Sequence, residues 1–334
     1  MRPTILKRPA HVSGAALAAA LAGAFLLSGG QAQASENGTS VYLLGSGGPG
    51  TAIMPPVKGL FFANTTYFLS GEARAGRLLP VGGSVVADLE ASVVADFPAL
   101  LWVPTTDFAG GTLALGLVTP MGHPDITVSG VVIGPGGGVV SGARSDSAFV
   151  VGDPILTGML GWTTGKTHIQ ASTMLNIPVG DYREGELANL AFNRWAFDTS
   201  LAVSWRDDES GWDVSAKTGV TFNGENDHTA YETGTEWHTE ISVEKILSPG
   251  FSAGLQAYRF KQISDDSGAG ATLGAFRGAA TAIGATAAWN FNLANRPASL
   301  RLRAFSEFDV ENRMEQKSVF IDFSIPLVMQ IPAG

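Results

Sequence analysis

The chain has 334 residues, 45% hydrophobic and 15% charged, with 42 Gly, no Cys and a formal charge of -9. Glycine stands well above, and charge well below, the ~7% and ~25% of ordinary soluble proteins. The apolar content argues against disorder, the acidity against nucleic-acid binding, and the lack of Cys excludes a disulfide framework or a Cys-ligated metal.

Arg2, Lys7 and Arg8 precede an apolar run from Ala15 to Leu27, and Ala32-Gln33-Ala34 supplies small residues for cleavage. This order predicts a secretory signal peptide over residues 1–34, cut after Ala34. No later apolar run is long enough to cross a bilayer as a helix. Residues 35–56 are Gly-rich and lie either in the periplasm or inside the fold as a plug.

From there the period is two residues. Between Ser84 and Phe97, Val85, Ala87, Leu89, Ala91, Val93, Ala95 and Phe97 share one face, and Asp88, Glu90, Ser92 and Asp96 the other. The pattern predicts twelve strands, near 57–69, 84–102, 109–119, 147–162, 166–178, 194–206, 210–222, 230–245, 250–262, 276–291, 298–309 and 317–327, followed by a tail over 328–334. Linkers after the even strands are mostly short, and those after the odd strands mostly longer, with 120–146 the longest. An even count of long strands with alternating short turns and long loops predicts an all-β, antiparallel outer-membrane β-barrel, with both ends of the sheet on the periplasmic side. A soluble sandwich is the rival, but its strands are usually shorter, near 5–6 residues. Tyr42, Phe61, Phe62, Tyr67, Phe68, Trp102, Trp162, Trp195, Trp205, Trp212 and Phe291 sit near strand ends, where aromatic girdles form.

Signals for catalysis are weak. His11, His123, His168, His228 and His238 show no zinc spacing, and no esterase elbow exists. His168 and Ser172 share a strand face but stand about 13 Å apart at ~3.3 Å per residue. The Gly-rich runs at 45–50 and 134–138 lack the following helix of a phosphate cradle and read as flexible loops. Asp265-Asp266 is a weak calcium candidate without EF-hand spacing. The expectation is no enzyme, no cofactor and no metal. With the polar faces turned inward, Asp88, Glu90, Asp96, His168, Gln170 and Asp322 are expected to face the lumen, and Tyr182 and Phe192 to collect substrate at the outer mouth.

Several segments occur together in order: Tyr42-Leu43-Leu44-Gly45 before Pro55-Pro56-Val57-Lys58-Gly59-Leu60, Gly152-Asp153-Pro154-Ile155-Leu156, Gly161-Trp162, Asp181-Tyr182, Leu187-Ala188-Asn189-Leu190, Asn193-Arg194-Trp195-Ala196-Phe197 and Phe222-Asn223-Gly224-Glu225-Asn226. On these the chain resembles the outer-membrane proteins associated with the meta-pathway of phenol degradation, whose sphingosine-uptake branch is called SphA-like. At Ile177-Pro178-Val179-Gly180 it departs from the family's usual Pro-Thr-Gly, losing a hydroxyl at a loop base. The resemblance implies a barrel, set in outer-membrane lipid and lipopolysaccharide, for uptake of small hydrophobic or aromatic solutes. It brings no catalytic residues. The expected function is therefore passive uptake of such solutes by a monomer. A general diffusion pore or a sealed structural barrel is the alternative.

Overall fold

The computed structural model describes residues 39–73, 79–81, 84–86, 88–133, 139–271 and 277–330. The expected signal peptide, the Gly-rich run at 134–138 and the last four residues of the tail lie outside these. Twelve antiparallel strands form the barrel wall: Lys58–Ala73 (β1), Asp88–Phe108 (β2), Gly111–Val118 (β3), Ile155–Thr164 (β4), Thr167–Asn176 (β5), Ala196–Asp207 (β6), Trp212–Asn223 (β7), Glu236–Ser248 (β8), Phe251–Gln262 (β9), Ala279–Leu293 (β10), Arg296–Glu311 (β11) and Glu315–Gln330 (β12). β1 pairs with β2 through Thr65↔Phe97 and with β12 through Thr65↔Asp322, so the twelve-strand wall closes on itself. Two of the short turns are two-residue hairpins at Ala109–Gly110 and Ala294–Asn295, both residues of each at positive φ. That is the turn whose twist matches paired strands.

Alternation fixes the two faces. In β6, Ala196, Asp198, Ser200, Ala202 and Ser204 are buried, while Phe197 and Leu201 are exposed. Leu100, Leu201, Leu255 and Ile283, 45–62% exposed, belong to the apolar outer wall. Trp102, Trp195 and Trp212 are exposed on it too. Tyr42 is buried within the barrel instead, and Tyr67 packs against Phe320 beside it, so these two rings are not part of a girdle.

The longest expected loop, 120–146, holds a hairpin of Met121–Ile133 and Val139–Ser147. The reason lies in β2, whose 21 residues far exceed the 8 of β3. β3 covers only Ala99 to Phe108 of β2. The backbone from Asp88 to Asp96 would be left unpaired, and Met121–Ile133 continues the ladder there, from Asp96↔Met121 to Asp88↔Ser129. The joint falls at prolines, which cannot donate to a ladder: Thr119 N donates to Pro98 O (3.1 Å) and Gly152 N to Pro120 O (2.8 Å). For the same reason β4 starts at Ile155, later than its expected start at 147, after a two-residue strand at Val150–Val151.

Candidate functional site

Residues 39–54 run inside the barrel. At the outer end Ser40 Oγ donates to Glu236 Oε2 (3.0 Å). Lower down, Gly45 N donates to Glu240 Oε1 (2.9 Å), and Arg303 donates to Gly45 O. Near the periplasmic turns Gly50 N donates to Asp213 Oδ1 (3.1 Å) and Ser215 Oγ (3.0 Å), Ala52 N to Ser204 Oγ (3.1 Å), and Gln170 Nε2 to Met54 Sδ (3.1 Å). The segment thus descends the polar wall made by β5 to β12. The Gly-rich run at 45–50, expected as a flexible loop, is packed. Gly45 holds φ +86°, and a Cβ there would stand 2.8 Å from the Phe305 ring. Only glycine fits that approach.

The opposite wall is apolar. Leu89, Ala91, Val93, Ala95 and Phe97 of β2 face inward with Tyr67 and Leu69 of β1 and Ile126 of the hairpin. Together with Tyr42, Leu43 and Leu44 below and Leu187, Leu190 and Phe192 above, they enclose a cavity of about 160 Å³ in the outer half of the barrel. Beneath it Tyr42, Leu44, Phe260, Phe305 and Phe320 form a continuous apolar cluster.

The roof is the stretch between β5 and β6, which has no strand of its own. Two carboxylates hold it. Asp153, buried, accepts from Asn176 Nδ2 (3.0 Å), Gly180 N (2.9 Å), Phe192 N (2.8 Å) and Asn193 N (3.0 Å). Asp146 accepts from Leu187 N (3.1 Å) and Ala188 N (2.9 Å) and lies 3.5 Å from Arg183. Burial pushes the Asp146 carboxyl up, but the Ala188 N–H, the Arg183 guanidinium and the Leu187 N–H outweigh it and hold it below the usual carboxylate range.

The residues singled out from sequence separate. Asp88, Glu90 and Asp96 point outward, opposite to expectation, because their apolar neighbours line the cavity. Asp88 and Glu90 belong to the part of β2 paired with the outer hairpin, where the outer face is polar, as His123 and Asp125 beside it are exposed. Asp96 accepts from Asn64 Nδ2 (2.9 Å) and Thr66 Oγ1 (2.6 Å) on the outer wall. His168, Gln170 and Asp322 lie on inward positions. His168 Nδ1 bonds Thr163 Oγ1 (2.9 Å), and Asp322 accepts from Thr65 Oγ1 (2.7 Å) and Arg303 Nη2 (2.6 Å). Phe192 lines the cavity. Tyr182 does not; its ring stacks on His228, 5.5 Å away. Asp265 and Asp266 diverge: Asp265 pairs with Arg277, and Asp266 turns inward to Tyr231, Gly234 and Gln262. Among the described residues no group of acids and histidines is placed to hold a metal ion.

The apolar residues of β2 and the Tyr42 ring are the site residues that sequence reasoning assigned elsewhere, whereas the sequence leaves the segment around Tyr42 open between the periplasm and an internal plug. The signal was present, since the β2 stripe runs on past any membrane thickness into the outer extension.

A closed twelve-strand barrel with an apolar wall outside and an internal segment within defines an outer-membrane β-barrel protein. Residues 76–323 match the family described as "Putative MetA-pathway of phenol degradation", and the chain belongs to that family. None of the curated protein sequences matches it. Among solved structures it is similar to the COG4313 outer membrane channel from Pseudomonas putida F1, at 20% identity and TM-score 0.66, over 84% of this chain and 99% of that one. That likeness establishes a shared fold. The β domain of the Bordetella autotransporter BrkA aligns at TM-score 0.47 and 12% identity, over 81% of this chain and all of that one.

Proposed function

We propose that the protein is a monomeric outer-membrane channel for passive uptake of small hydrophobic, aromatic or amphipathic molecules. The observation that carries this reading is the apolar cavity in the outer half of the barrel. Its volume, about 160 Å³, is near that of cavities that stay dry and take up a benzene ring, ~150 Å³. Burying a ring's roughly 150–250 Å² at about 25 cal/mol per Å² gives about 4–6 kcal/mol before ordering costs. Binding of that modest strength suits a passive route, which must release what it takes.

Lipopolysaccharide presents a charged layer that such solutes cross poorly. A cavity just beneath the outer loop gives them an apolar station, and the floor at Tyr42 to Leu44 sets how they leave. The aromatic and aliphatic filling of this half speaks against a general pore for hydrophilic solutes. A channel that relies on partition rather than bond making needs no catalytic group. The test is uptake of radiolabelled toluene by cells making the protein. Ala91→Phe, which fills the cavity, should return uptake to the level of cells lacking the protein, with barrel yield unchanged. Uptake that Ala91→Phe leaves intact would overturn the reading.

A further inference from the structure

Two charged side chains interrupt the apolar lining: Asp153, whose carboxylate already accepts from four donors, and Arg313. Arg313, in the turn between β11 and β12, folds inward, is 2% exposed and lines the cavity with Leu69, Leu89, Ile126, Leu187 and Met314. Its guanidinium lies over the Phe260 ring, 4.7 Å from the centroid. The nearest carboxylate oxygen, Glu307 Oε1, is 3.7 Å from Nη2, too far for a hydrogen bond. Glu307 is already satisfied by Tyr258 Oη (2.9 Å) and Gln316 N (2.9 Å). Nε and Nη1 of Arg313 are fully enclosed and have no hydrogen-bond partner among the described residues; Nη2, outside that enclosed set, has no carboxylate within hydrogen-bond reach. Buried donors of this kind are costly unless something accepts from them.

We infer that the cavity selects apolar molecules carrying a hydrogen-bond-accepting oxygen, with that oxygen on Arg313 and the hydrocarbon body among Leu69, Leu89, Ile126 and Leu187. This rests on the proposed reading of the cavity as a solute site. A guanidinium donates through a fixed, planar set of N–H groups and strengthens any bond to oxygen by its charge. A plain hydrocarbon in the same space leaves the guanidinium without an acceptor. A carbonyl or carboxylate supplies one to Nη2, without breaking any bond that Glu307 makes.

Three ring compounds of similar size separate the outcomes by equilibrium dialysis against the purified, folded barrel: ethylbenzene with no acceptor, acetophenone with a neutral carbonyl, and benzoate with an anionic head. A hydrogen bond to a charged donor is worth about tenfold or more in affinity, so acetophenone or benzoate should exceed ethylbenzene by about that factor. The stronger of the two tells whether the head is neutral or anionic. Arg313→Met, its folding checked by heat-dependent gel mobility, should erase the preference while ethylbenzene binding persists. Ala91→Phe, which leaves Arg313 in place, should abolish binding of all three and so ties the binding to the cavity; if Arg313→Met does not fold, the ranking of the three compounds on the unaltered protein still decides. Equal binding of the three compounds by the unaltered protein, or a preference that survives Arg313→Met, overturns the inference while leaving the cavity reading standing. Binding of none overturns both.

Discussion

The ring of Tyr42 lies flat on the imidazole of His238, with centroids 3.5 Å apart and planes 11° from parallel. The imidazole is held at its edge by Asp198, whose Oδ2 is 2.9 Å from Nε2, and Lys217 Nζ sits 4.8 Å from the Tyr42 centroid. One aromatic residue of the internal segment is therefore clamped by three strands of the wall. This contact fixes the segment at the level where it forms the cavity floor.

Removing the clamp should loosen the segment. A buried aromatic cut back to Ala costs about 3–5 kcal/mol, more than any one of the segment's neutral hydrogen bonds, at about 1 kcal/mol each. Tyr42→Ala is expected to raise ion conductance in planar bilayers well above that of the unaltered barrel. Conductance unchanged by the substitution would mean that the hydrogen bonds alone hold the segment.

Asp153 gathers four donors from three parts of the chain. Asp153→Ala leaves those buried donors unmet, at about 1–3 kcal/mol for each that water cannot reach. The amides of Gly180, Phe192 and Asn193 should then exchange hydrogen at least about tenfold faster, with strand amides unaffected. Equal exchange in the variant would remove Asp153 as the organiser of the roof.

Phe192 and Tyr182 should behave differently, although both are aromatic and share one loop. Phe192→Ala takes away part of the cavity wall and should slow toluene uptake. Tyr182→Ala removes a ring stacked on His228 outside the cavity and should leave uptake as it was. A reversed ranking would place the collecting surface on the loop exterior.

Asp266 gives a pH dependence of known sign. Burial, aided by the nearby Glu236 charge, pushes its carboxyl up to about 7 against the donors Tyr231, Gly234 and Gln262. The unfolded reference is near 3.9. Between those values the folded loop keeps a proton that the unfolded loop has lost. Its stability falls as pH rises from about 4 to about 7 and then levels off. Exchange at Gly234 and Asp266, corrected for intrinsic rates, should show more protection at pH 5 than at pH 8, both about one unit or more from that midpoint. Asp266→Asn should flatten the difference. Asp146 works with the opposite sign, so its hold on Leu187 and Ala188 persists through neutral pH and weakens only in strong acid.

Much of the wall was legible because strand periodicity and membrane thickness act on each strand separately. The inward pattern of β6, with Asp198, Ser200 and Ser204 alternating against Phe197 and Leu201, reads directly from sequence. The face of β2 did not, because its polarity is inverted. The usual rule of polar residues inside assumes a wet lumen, and here the inner face of β2 meets an apolar cavity while its outer end meets water. Gly45 to Gly50 misled for a related reason. Glycine signals either freedom or close approach, and the approach of Phe305 to Gly45 is a tertiary fact. Arg313 carried no local signal either, since its burial depends on β9 and β11 meeting above the internal segment.

On the proposed reading, an apolar solute lodges in the outer cavity, above the segment clamped at Tyr42. Crystals of the purified protein soaked in para-bromotoluene and measured at the bromine edge test it most directly. An anomalous peak is expected between Leu69, Leu89 and Leu187, lost in Ala91→Phe. Bromine found only on the lipid-facing wall, with the cavity empty, would contradict it.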